Sequence, residues 1–260
     1  MTTQSITRIA QADLLLLIAD MLRPPSALSL PDTKSWQSNT QLGGQLPEMD
    51  DRELRSLVET TELQPTDRIE QELLAAVRCC QAMPPDQWSA CYRALFDGAV
   101  LCPINEATYI RRDKGTIIGD LCGFFSAFGW QSAMTGERPD HLLVELEFAA
   151  MLLIMSARAE TDELDNITTE ALAEFTRQHL NDWVALFCQQ LRLSTTHDLF
   201  VSVANLLETV WSSLINYHAW PVDEAPTSPM GICEEPDDPY DCGAPDLVSL
   251  EPAGDMDEAR

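Results

Sequence analysis

Apolar and polar positions alternate with a helical period along most of the chain. Between residues 5 and 22, Ile6, Ile9, Leu14, Leu17, Ile18 and Met21 fall on one helical face, and Pro24-Pro25 ends the run. The period is lost over 26–49, which contains Pro31, Gly43-Gly44 and Pro47 and reads as a long loop. Further helices are predicted at about 50–61, 67–82, 86–96, 116–129, 139–160, 167–191 and 195–218. Asp67 and Glu70 have the spacing of a capping pair for the helix at 67–82. Trp88, Cys91, Tyr92, Leu95 and Phe96 form an apolar stripe on the next one. Residues 98–115 read as a connection with one short helical piece, and they are a candidate hinge through which helices could exchange between two copies. No series of alternating Val/Ile/Thr runs predicts a sheet, and no fixed-period repeat predicts a solenoid. The expectation is an all-α chain: one helical domain of about nine to ten helices over residues 1–220.

The last forty residues change this picture. Residues 221–260 hold seven prolines, twelve Asp or Glu and one basic residue. Such a segment cannot bury enough apolar surface to offset its ordering entropy, so an acidic, disordered tail is expected. The whole chain carries a formal charge of −26, from 42 acidic and 16 basic residues. No Lys/Arg cluster is available for phosphate contacts, which argues against nucleic acid and favours a positively charged partner. With 45% apolar residues in 260, a sizeable core is expected. No stretch reaches the roughly 20 apolar residues of a membrane span. The run LLLLIA at 14–19 lies between Asp13 and Asp20 and lacks a basic leader. A cytoplasmic protein without membrane insertion is expected.

Eight cysteines are present, none in a Cys-x-x-Cys pair. Those at 79, 80, 91, 102, 122 and 188 fall mostly in apolar helical patterns and read as free, structural thiols. Cys233 and Cys242 lie in the tail. No phosphate loop, Gly-x-Ser-x-Gly, His-Glu-x-x-His or clustered Cys/His site occurs, and the four histidines are far apart in sequence. Neither catalytic residues, nor a metal, nor a cofactor is predicted.

One stretch is less easily explained. In GERPDHLLVELEF (136–148), Pro139 suits a first helical turn, and Asp140 would meet free N–H groups at the positive end of the helix dipole. A histidine gains nothing from that dipole, so His141 needs another reason.

These residues resemble a known family. ERPDHLLVELEF (137–148) is similar to the second motif of the TorD/DmsD/NarJ-type redox-enzyme maturation chaperones, in which a Pro-Asp-His element opens a helix. YRALF (92–96) resembles that family's aromatic-x-x-Leu-Phe motif. Between them, CPINEATYIRRDKGTIIGDLCGFFSAFGW (102–130) resembles the family's linker and the helix that follows it. The flavour of that stretch is nearest the chaperones of the dimethylsulfide, ethylbenzene, selenate and chlorate enzymes. The resemblance implies a cytoplasmic helical chaperone, monomer or domain-swapped dimer, without catalysis. It would bind the precursor of a molybdoenzyme catalytic subunit, through the twin-arginine leader or the apoenzyme body, and delay export until cofactor is inserted. The implied client-binding residues are Tyr92, Leu95 and Phe96 of the first motif and Pro139, Asp140 and His141 of the second.

The chemistry of such a leader agrees with this expectation. Two guanidiniums beside an apolar stretch call for carboxylates beside an apolar groove. Asp140 and Glu137 are candidates for the charged part, and Tyr92, Leu95 and Phe96 for the groove. Leu95 and Phe96 are also natural core residues, whereas the polar tip of Tyr92 suits a surface. The alternative is a helical accessory subunit retained in the mature oxidoreductase.

Overall fold

In the computed structural model, residues 2–23, 49–97, 101–132 and 137–222 are described. They contain nine α-helices and no strand. Residues 223–260 of the predicted tail and 26–48 of the loop predicted at 26–49 lie outside them. Helix α1 spans Thr3–Met21, α2 Asp51–Thr61, α3 Thr66–Ala82 and α4 Pro85–Tyr92. Then follow α5, Lys114–Ala127; α6, Leu142–Ala157; α7, Asp162–Phe175; α8, Val184–Ser194; and α9, Asp198–His218.

Helix α6 is the centre of the fold. Thirteen of its sixteen residues are buried, and it packs against α1 on one side and α7 on the other. A helix that is apolar on every face belongs in a core, which is why its sequence shows so weak an amphipathic period. Helix α9 packs on α3 and α8, and α1 also meets α2. By length and composition α9 could span a membrane, contrary to the reading of the sequence. Eleven of its residues, Leu199 to Leu214, are buried.

Side-chain caps mark several helix starts. Asp50 and Glu53 form a reciprocal capping box on α2, Asp113 caps α5, and Thr161 caps α7. The expected pair on α3 is absent: Pro65 occupies the cap position and Asp67 already lies inside the helix. Glu70 reaches Arg55 instead, at 2.9 Å.

Two helices depart from their predicted course. The segment expected as one helix from 167 to 191 begins at Asp162 and is interrupted. A π-helical turn at Thr176–Leu180 leads into a break at 181–183 before α8 resumes. Asn181 uses its side-chain amide there to hold the Pro221 carbonyl at 2.9 Å. The segment predicted as 86–96 ends as α-helix at Tyr92 and continues as a second π turn, Arg93–Asp97. Such wide turns are uncommon and recur near functional sites.

The helix expected from 139 starts at Leu142, with His141 at the cap. The preceding residues are engaged elsewhere. Asn105 and His141 form an antiparallel bridge, the Glu106 N–H donates to the Asp140 carbonyl (2.9 Å), and Leu142 N–H donates to Ile104 (2.9 Å). The described part of the 98–115 connection is thereby pinned to the start of α6.

Candidate functional site

The two sequence motifs meet where α4 ends and α6 begins. The π turn of the first motif turns both Leu95 and Phe96 into the core and leaves Asp97 exposed. Phe96 packs on Tyr92, Phe187 and Phe200, with ring centroids 4.8, 6.5 and 5.9 Å away. Tyr92 is 6% exposed, less than its polar tip suggested. Among the described residues its hydroxyl has no hydrogen-bond partner. Burial, followed by the charges of Asp97 and Glu137, raises its pKa. The charges of Asp97, just after the first motif, and of Glu137, in the second, thus both bear on one phenol.

In the second motif the side chains divide between inside and outside. Glu137 is exposed, with half of its side chain in solvent. Pro139 is half-buried in the turn before the helix. Asp140, expected to face an incoming guanidinium, has no exposed surface. Its carboxylate is already taken by the Arg138 guanidinium, the Ala107 N–H (3.3 Å) and the Asn105 amide (3.4 Å). It lies one residue before the cap and stabilises the linker rather than the helix dipole.

His141 has the reason that the sequence withheld. It is 3% exposed, and its Nδ1 accepts the Leu143 N–H at 3.2 Å, capping α6 as Asn or Asp commonly does. Nδ1 is then unprotonated, and the proton of the neutral ring is on Nε2, 4.0 Å from Glu137 Oε2. Burial, with Arg23 and Arg138 nearby, lowers its pKa to about 4.

Beneath the motifs lies a buried polar cluster that sequence reasoning missed. Glu106, Asp140, Glu145 and His179 are all fully buried. His179, on the second π turn, donates from Nδ1 to Glu106 Oε2 at 2.9 Å, and Arg112 donates to Glu106 Oε1 at 3.2 Å. Trp183 donates to Glu145 Oε2 at 3.3 Å. Burial raises the pKa of Glu106 and, more strongly, that of Glu145, which the Glu106 charge raises further. One signal was available: Glu145, like Glu147, interrupts an apolar run, and it lies one helical turn after His141. Glu106 and His179 gave none, since they are 73 positions apart. No group of three or more His, Cys, Asp or Glu with metal-binding geometry occurs among the described residues.

A family model described as nitrate reductase delta subunit matches residues 61–189, about half of the chain. The chain belongs to this family. Its members are maturation chaperones of molybdoenzymes, of the NarJ/TorD type, and work with molybdoenzyme catalytic subunits. The matched span runs from the end of α2 into α8 and includes both motifs, the linker between them and the whole buried cluster. No curated protein matches the sequence.

Proposed function

We propose that this nitrate reductase delta family protein binds the twin-arginine leader of a molybdoenzyme precursor where the two motifs meet. By doing so it assists cofactor insertion and assembly before export. The observation that carries the reading is the pair of exposed carboxylates, Asp97 just after the first motif and Glu137 in the second, whose charges both bear on buried Tyr92, a phenol with no hydrogen-bond partner among the described residues. A guanidinium is bound by carboxylates at a rim, with an aromatic group as neighbour. Leu101 is exposed beyond the π turn, and its carbonyl is held by Gln190 and Ser194 beside the exposed Leu193. This apolar surface suits the apolar stretch that follows the arginines. Leu95, Phe96, Pro139, Asp140 and His141 shape the site from beneath.

The test is maturation of the client in cells carrying Asp97→Asn/Glu137→Gln. The double variant should fold normally and yield less active exported enzyme. Unchanged maturation would place recognition elsewhere on the chain. Recovery of the chain in stoichiometric amount with the mature, exported enzyme would favour the accessory-subunit reading.

A further inference from the structure

We infer that Glu106 is a positioning residue for the client surface, acting through His179 and Arg112 on one side and the Pro-Asp-His turn on the other. The inference rests on the reading of Glu137 as a recognition residue given above.

Glu106 joins three segments that are distant in sequence. Its carboxylate holds the second π turn through His179 and also holds Arg112. Its backbone N–H holds the Asp140 carbonyl, and its own carbonyl receives Tyr109 and Ile110 N–H at 2.8 and 3.1 Å. The flanking Asn105 and Ala107 grip the Asp140 carboxylate. The turn carrying Glu137 is thus fixed by residues 104–107, and those are fixed by the Glu106 carboxylate. Glu137 itself is exposed, and its carboxylate lies 4.0 Å from His141 Nε2. Its placement is set by the turn beneath it. A binding carboxylate held in place loses less freedom when its partner arrives.

A fully buried carboxylate is costly to desolvate and needs compensating donors. Glu106 has them on both oxygens. An apolar side chain would fill the space more cheaply, but would hold neither His179 nor Arg112. Tyr109 already packs the linker onto Trp183, with ring centroids 5.5 Å apart, so an ionic anchor at 106 is not needed for burial alone.

Glu106→Gln tests this. A carboxamide is uncharged and keeps a single acceptor oxygen, so the charge-assisted hold on Arg112 and His179 is reduced to neutral hydrogen bonds at constant shape. Affinity for a synthetic twin-arginine leader peptide is measured in wild type, Glu137→Gln, Glu106→Gln and the double variant. In wild type, Glu137→Gln should weaken binding about three- to fivefold, the range of an exposed charge pair. In the Glu106→Gln background the same change should cost less than about 1.5-fold, because the carboxylate is no longer held in place. If Glu137→Gln has no effect in wild type, the recognition reading fails. If its effect is equal in both backgrounds, Glu106 is a structural residue only and the positioning role is overturned. Should Glu106→Gln not fold, His179→Gln removes the imidazole from the other end of the same bond and is read by the same cycle.

Discussion

Nδ1 of His141 accepts the N–H of Leu143 at 3.2 Å, so the histidine of the Pro-Asp-His element caps the helix that follows it. A capping nitrogen must stay unprotonated. Its pKa is lowered to about 4, and that of His218, buried near Arg8, also to about 4. An unfolded histidine titrates near 6.5. Above about pH 6.5 both states are neutral and stability is complete. Between there and pH 4 only the unfolded chain takes up the proton, so each histidine removes stability at up to about 1.4 kcal/mol per pH unit. His141→Asn keeps a capping acceptor and cannot titrate. Its denaturation free energy should fall less than that of wild type from pH 7 to pH 4.5. The buried carboxyls Asp13, Asp20, Glu106 and Glu145 have raised pKa values and act in the opposite sense in both proteins, so the difference between the two curves isolates His141.

Glu145 has the reverse dependence. Its folded pKa is raised well above the usual value by burial. Its stabilising share is complete below the unfolded pKa and is lost as pH rises through the folded one. Glu145→Gln keeps an acceptor for Trp183 and removes the ionisation. It should be more stable than wild type at neutral pH, with the gap widening as pH rises toward the folded pKa. Glu145→Ala should cost about 2–4 kcal/mol, through the space vacated and the unpaired indole N–H. Urea titrations between pH 5 and 9 distinguish the three proteins. A constant gap between Gln and Glu would show that the carboxyl is not held neutral.

Helix α5 is attached through aromatic rings. Phe124 meets Phe175 at 5.4 Å, and Phe125 and Trp130 meet Phe148 at 4.8 and 5.3 Å. Only Ile117 and Leu121 of the helix are fully buried. Phe148→Ala should cost about 3–5 kcal/mol. Before global unfolding, amide exchange should quicken selectively over 114–128. Uniform acceleration over all nine helices would mean that α5 is not a separately detachable element.

Thiol reactivity should follow the same architecture. Burial raises the Cys80 and Cys102 pKa values to about 12 and keeps Cys188 protonated as well, whereas Cys122 is exposed on α5. Only thiolates react readily. Under native conditions Cys122 should label first among the six described cysteines, and Cys80, Cys102 and Cys188 only on unfolding. Mass spectrometry of partly labelled protein reads the order directly.

The helices were legible because each buries a face whose period is local. The all-α class, the starts of α2, α3, α5 and α9 to within three residues, and the breaks at proline all rest on neighbouring positions. The start of α6 was not legible. It is set by pairing between Asn105 and His141, which no local pattern encodes, and the same pairing turned Asp140 inward. The π turns were invisible for a related reason. YRALF keeps a helical stripe on paper, and only packing of Phe96 among Phe187 and Phe200 shows where the wider turn places Asp97. The buried cluster depends on three segments, so Glu106 and His179 had no reason to stand out.

We propose that the exposed carboxylates of Asp97, just after the first motif, and Glu137, in the second, receive the arginines of a leader. Calorimetry with the synthetic leader of a molybdoenzyme encoded beside this chain tests it most directly. Binding is measured at low and high salt, with wild type and with Asp97→Asn/Glu137→Gln. Wild type should bind, and its binding should weaken with salt, since exposed charges are screened over about 8 Å at physiological ionic strength. The double variant should bind more weakly with a smaller salt dependence, and wild type should bind more weakly when both leader arginines are lysine, which cannot form the bidentate fork. Equal affinity and equal salt dependence for wild type and double variant would contradict it.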